Sequence, residues 1–166
     1  HRGTASKGKT VVGSNCLIMA YCHVAHDCVV GNNVIMSNAV QMAGEVVVDD
    51  FAVLGGGALI HQFCHIGSHV MLQGGALVNK DIPPFVKAAR EPIAYAGVNS
   101  IGLRRRGYSN ETIRDIQEIY RYLYLSGLNN SDAISRIEAE LPASKERDEI
   151  ILFVRNSGRG IIRGYV

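Results

Sequence analysis

A strict period of six residues constrains this chain more than any other feature. Counted in sixes from Val12, the first position runs Val12, Ile18, Val24, Val30 and onward to Leu72 and Val78, and all twelve residues are aliphatic or Met. The fifth position, from Cys16, Cys22 and Cys28 to Ala76 and Ile82, is apolar throughout and mostly small. A helix needs apolar residues three and four apart and a plain strand needs alternation, so neither gives a period of six. A parallel β-helix does: each six supplies a short strand and a bend, and successive coils stack over a shared core.

The hexapeptide pattern resembles the left-handed β-helix of the acyltransferase superfamily, in which three sixes make one triangular coil against the usual right-handed crossover. On that resemblance residues 12–83 form four coils of eighteen. Cys16, Cys22, Cys28 and Cys64 fall at fifth positions, six apart or a multiple of six. They are core filler rather than a CxxC metal or redox pair, and free thiols fit a reducing, cytoplasmic setting.

Composition divides the chain in two. Between Val12 and Asn79 there is no Lys, Arg or Pro, whereas all four prolines and thirteen of the seventeen basic residues follow Ile82. The boundary falls at Pro83-Pro84, giving a mainly β unit over residues 1–83 and a C-terminal α-helical domain over 84–166. The second part opens as an extended linker running through GVNSIGLRRRG. Ser109 then caps a helix whose Ile113, Ile116, Ile119, Tyr120, Leu123 and Tyr124 share one face, ending at Gly127, and Ser131 and Ser144 cap two more. No apolar run reaches transmembrane length and no signal peptide is visible. A net charge of +2 leaves no nucleic-acid footprint.

The repeat also orders the polar residues. His26 is the third residue of its six, and Gly44 and Gln62 hold the same place eighteen and thirty-six residues on. Coils stack about 4.8 Å apart, so His26 and Gln62 flank Gly44 at a separation of roughly 10 Å. A glycine between two polar side chains leaves a notch where a backbone N–H can meet a developing oxyanion. Asp27 fixes the tautomer of His26 if the two side chains turn the same way, although neighbours on an extended chain point apart. Two other readings stand beside a catalytic one: a non-catalytic trimeric scaffold with polar surface residues, and a zinc-dependent hexapeptide enzyme of the carbonic anhydrase type. HQFCH places His61 and His65 four apart. On a β-helix that spacing turns a corner instead of following one face.

HRGT at residues 1–4, HVAHDCVVG at 23–31, HQFCHIG at 61–67 and GVNSIGLRRRGYS at 97–109 together resemble the UDP-N-acetylglucosamine O-acyltransferases, which open lipid A biosynthesis. The resemblance spans nearly the whole chain and lacks the family's N-terminal coils. It implies an acyltransferase that moves a 3-hydroxyacyl group from the phosphopantetheine of acyl carrier protein to the 3-hydroxyl of UDP-N-acetylglucosamine, with no metal and no cofactor of its own. His26 matches the general base, Asp27 its partner and Gly44 the oxyanion donor. His23, His61 and Gln62 match the substrate and acyl pocket, and Gly74 the position that sets acyl length. Asn99, Arg105 and Arg106 match the nucleotide-contacting region, where guanidinium groups suit phosphate. The resemblance also implies a homotrimer with sites between subunits. Acyl carrier protein is generally acidic, and the basic surplus after Pro83 offers it Arg155, Arg159 and Arg163 as docking residues. Ile101 and Glu45 depart from the family pattern, at an acidic position and a histidine position respectively.

Overall fold

The structure, a computed structural model, describes residues 1–164. Tyr165 and Val166, at the end of the expected helical domain, lie outside the described residues. Twelve two-residue strands follow the period of six and build three flat faces. The first face holds β1 (Val11–Val12), β4 (Val29–Val30), β7 (Val47–Val48) and β10 (His65–Ile66). The second holds β2 (Leu17–Ile18), β5 (Ile35–Met36), β8 (Val53–Leu54) and β11 (Met71–Leu72), and the third β3 (His23–Val24), β6 (Gln41–Met42), β9 (Leu59–Ile60) and β12 (Leu77–Val78). Pairing is parallel with each residue opposite the one eighteen further on, as Val11 opposite Val29 and Leu59 opposite Leu77. The expected β-helix is therefore present, with three sixes to the coil.

First-position residues from Val30 to Val78 are no more than 3 % exposed, and the fifth-position Cys28 and Cys64 are fully buried. Burial pushes the Cys64 thiol up to about 11 and raises that of Cys28 as well, so both stay protonated as packing atoms. In the first coil the same positions stay open, with Val12 at 45 % and Ile18 at 41 %. No described residue stacks on their outer side.

Each corner is made by the fourth residue of its six. From Asn15 to Gly75 that residue has φ between 57° and 71°, the left-handed region, whatever its side chain. Such backbone costs a residue with a Cβ roughly 1 kcal/mol, repaid in every coil by a continuous ladder and a closed core.

The segment after the prolines is not a linker. β13 (Val86–Ala89) adds to the second face beside β11, and β14 (Ala94–Val98) pairs back on it antiparallel. Met71 opposes Lys87, sixteen residues on instead of eighteen, so the coil that contains Pro83 and Pro84 is two residues short. Four helices follow: α1 (Ser100–Arg105), α2 (Asn110–Leu125), α3 (Asn130–Glu140) and α4 (Lys145–Asn156). α1 falls inside GVNSIGLRRRG, expected to be extended; the side chain of Asn99 accepts from Gly102 N and starts it. Ser109 and Ser144 cap α2 and α4 as expected, but α3 is capped two residues earlier than Ser131, by Asn129. The apolar face of α2 is buried as read, and Tyr120 donates from its hydroxyl to the Pro84 carbonyl while Tyr124 stacks on Tyr95 with centroids 4.5 Å apart. Among the described residues no helix is long and apolar enough to cross a membrane.

Candidate active site

The column of His26, Gly44 and Gln62 follows the third face of the β-helix. Asp27 occupies a left-handed corner (φ 60°), which turns its side chain back beside that of His26 instead of away from it. The two meet, with His26 Nδ1 3.0 Å from Asp27 Oδ2. Asp27 is fully buried and held from the other side by Thr4, whose hydroxyl donates to Oδ2 at 2.5 Å and whose backbone N–H lies 3.0 Å from Oδ1. Thr10 Oγ1 accepts from Asp27 N at 2.9 Å. The Thr4 hydroxyl first, with His26 adding to it, lowers the Asp27 carboxyl from 3.8 to about 2, against the opposing effect of burial. Thr4 and Thr10 are site residues that sequence reasoning did not assign, although HRGT was noticed as a motif.

Directly below, Gly44 admits the imidazole. A Cβ at Gly44 would stand 2.4 Å from His26 Cε1 and 2.5 Å from Nε2. The expected notch is thus occupied by the ring itself, and the glycine serves first to let the imidazole lie against the backbone. The Gly44 N–H gives no hydrogen bond to any described residue, so it remains a donor beside Nε2. Glu45, at the next corner, donates its N–H to the His26 carbonyl, and its carboxylate stands 4.0 Å from Lys7.

Beside the column the third face carries a groove of about 540 Å³. His23, Gln41, Leu59, His61, Leu77 and Asn79 line it, and Glu91, Pro92 and Ile93 from the loop between β13 and β14 form one wall. Leu59 and Leu77 point outward from this face and stay 47 % and 48 % exposed. The structure therefore brings His23 and His61 together in one apolar groove, with Gln62 at the adjoining corner. Gly74 is not in its lining. It belongs to the column Ala20, Asn38, Gly56 and Gly74, eighteen residues apart, at the opposite edge of the third face from His26. A Cβ at Gly74 would find Gly56 O at 3.2 Å and otherwise open space.

The expected nucleotide residues divide. Arg105 is exposed at the last turn of α1 and has no partner among the described residues. Arg106 turns inward, with Nη1 3.3 Å from His69 Nδ1 and the guanidinium 5.6 Å from the Phe51 centroid. Asn99 is buried, its amide donating to His69 O at 3.0 Å and accepting from Gly102 N. Ile101 is 65 % exposed. Of the three arginines expected at a docking surface, Arg155 pairs with Glu138 and Arg159 bonds backbone carbonyls, leaving Arg163 exposed. Nor do His61 and His65 converge: His65 Nε2 meets Asp49 Oδ2 at 2.8 Å, and no three His, Cys, Asp or Glu side chains among the described residues come together as metal donors.

The six-residue-repeat β-helix, with this imidazole–carboxylate pair and an adjoining apolar groove, places the chain among the hexapeptide-repeat proteins. Residues 9–44 match the bacterial transferase hexapeptide model, and residues 81–162 match the model for domain 2 of UDP-N-acetylglucosamine O-acyltransferase. The acyl-[acyl-carrier-protein]–UDP-N-acetylglucosamine O-acyltransferase of Halorhodospira halophila is 44 % identical over 164 residues, covering 98 % of this chain and 64 % of its own. The structure of a UDP-N-acetylglucosamine acyltransferase from Bacteroides fragilis superposes with a TM-score of 0.96 at 56 % identity, covering 97 % of this chain and 63 % of the other. That of the Acinetobacter baumannii protein gives 0.94 at 41 % identity, covering 98 % of this chain and 64 % of the other. The chain belongs to the UDP-N-acetylglucosamine O-acyltransferase family. It spans just under two thirds of the length of these relatives.

Proposed function

We propose that this protein transfers a 3-hydroxyacyl chain from the phosphopantetheine thioester of acyl carrier protein to the 3-hydroxyl of UDP-N-acetylglucosamine. The observation that carries this reading is the relay from Thr4 through Asp27 to His26, aimed over Gly44 and set beside an apolar groove. An ionised carboxylate only accepts, so Asp27 keeps a proton on His26 Nδ1 and leaves Nε2 with the lone pair of the neutral ring. Nε2 takes the proton of the sugar hydroxyl as its oxygen attacks the thioester carbon. Positive charge on the imidazolium is met by Asp27, and negative charge on the tetrahedral oxygen by the Gly44 N–H. Collapse breaks the carbon–sulfur bond, and the leaving thiolate recovers the proton from Nε2. General-base action of this kind contributes about 10² to 10⁴, and a backbone oxyanion donor about 10² to 10³.

The groove accounts for the donor. His23, Leu59, His61 and Leu77 offer an apolar bed to an acyl chain entering from the His26 column, and the chain runs across the third face toward the Gly74 edge. Arg105, exposed and without a side-chain partner among the described residues, supplies a cation for a phosphate of the sugar nucleotide. A homotrimer in the cytoplasm completes the reading, since a second copy against the third face would cover Leu59 and Leu77. Assay of the protein with UDP-N-acetylglucosamine and a panel of 3-hydroxyacyl carrier proteins tests it. Formation of the 3-O-acyl sugar nucleotide is expected, and hydrolysis alone or no turnover with any donor would defeat it.

A further inference from the structure

The His26 column does not end at Gln62. Eighteen residues on it reaches Lys80, and there the chain returns from α4 as a strap over residues 157–163. Lys80 Nζ donates to the Arg159 carbonyl, Asp81 N–H to that of Gly160, and Ile162 N–H to that of Asp81. The buried Asp81 carboxylate accepts from Ser157 Oγ at 2.6 Å and from His65 N at 2.8 Å. Arg159 is the member of the strap that reaches the groove. Its Nη2 donates to the Gln62 carbonyl at 2.9 Å and its Nη1 to the Asn79 carbonyl at 3.3 Å, so one guanidinium spans two successive coils.

The Gln62 carbonyl has a second partner, His61 Nδ1 at 3.1 Å. A carbonyl oxygen can only accept, so the neutral His61 ring carries its proton on Nδ1 and a lone pair on Nε2. His61 and Asn79 both line the groove. We propose that Arg159 is a positioning residue for this groove: by pinning the Gln62 carbonyl it sets the tautomer and orientation of His61, and through Asn79 it holds the adjoining wall in register. The planar fork is what the task requires, because a lysine ammonium is a point donor that cannot hold two carbonyls in one plane. The kinetic part of the inference rests on the proposed acyl transfer. The part concerning His61 does not.

Long-range ¹H–¹⁵N spectra of the imidazoles, recorded above their titration range, separate the two. His61 is expected to show its proton on Nδ1 in the unaltered protein and to shift toward Nε2–H in Arg159→Ala. With it, KM for the acyl carrier protein donor should rise roughly tenfold, on the scale that loss of a supporting hydrogen bond produces, with kcat within about twofold because the base His26 lies two coils from Gln62. Arg159→Lys, which keeps the charge and one bond, should fall between, and serves if the alanine variant does not fold. A tautomer shift in a protein without acyl transfer would uphold the role of Arg159 and overturn the proposed function. An unmoved His61 spectrum in Arg159→Ala and Arg159→Lys would overturn the role of Arg159 whatever the activity.

Discussion

The imidazole of His26 lies so close over Gly44 that a Cβ there would come within 2.4 Å of Cε1. Gly44 has no left-handed φ, so the ring alone excludes a side chain. Gly44→Ala should therefore displace His26 and lower kcat at least tenfold, with a stability cost of about 1–3 kcal/mol for the overpacking. In a His26→Ala background the same substitution should cost almost nothing further. Denaturant melts of the single and double variants check this, and additive costs would show that the glycine is needed for another reason.

The Asp27 carboxyl, lowered to about 2, stays ionised wherever the enzyme is assayed. Its folded value lies below the ordinary 3.8, so the stability it contributes is full above that value and is lost as pH falls toward 2. Thr4→Val removes the largest cause of the lowering and should move acid unfolding to higher pH. Asp27→Asn should go further, because an amide can donate to Nδ1 and leave Nε2 protonated, costing at least about a hundredfold in kcat. A normal turnover in Asp27→Asn would remove Asp27 from the relay.

Much of this arrangement was legible in the repeat. First and fifth positions gave the core, and counting by eighteens put His26, Gly44 and Gln62 in one column. The fourth position hid its role, because Tyr21, Ala39, Phe51 and Phe63 are not residues that announce a left-handed corner, and without that corner the pairing of Asp27 with His26 could not be argued. The motif gives no sign that Asn99 also starts α1, through bonds to His69 and Gly102. Charge alone marks Arg159 as a docking residue, and its bonds to Gln62 and Asn79 arise from a chain return over 97 and 80 residues that no local pattern encodes.

His69 carries a second pH dependence. Its ring is stacked 4.9 Å from Phe51 and contacts Arg106 and Tyr108, with Asp50 and Lys145 nearby, and burial first and Arg106 next lower its pKa from 6.5 to about 4. The unfolded chain takes up the proton first, so stability is full above pH 6.5 and falls as pH drops toward 4. His69→Phe keeps the stack and removes the titration, and should flatten Tm against pH across that window. An equally steep decline would place its cause elsewhere.

Acyl length offers a test of the groove. If the acyl chain runs on past the groove lining to the Gly74 edge of the third face, Gly74→Met should shift preference toward shorter chains while leaving His26 and Gly44 untouched. Each methylene excluded should cost about 0.8 kcal/mol. The profile of kcat/KM against donor length decides it, and an unchanged profile would put the end of the groove elsewhere.

The central claim is that His26, held by Asp27 over Gly44, takes the proton from the sugar hydroxyl. Steady-state turnover of His26→Ala with UDP-N-acetylglucosamine and its preferred 3-hydroxyacyl carrier protein measures it most directly. A loss of at least about a hundredfold in kcat is expected in a protein whose melting and oligomeric state are unchanged, and turnover near the unaltered level would rule out His26 as the base.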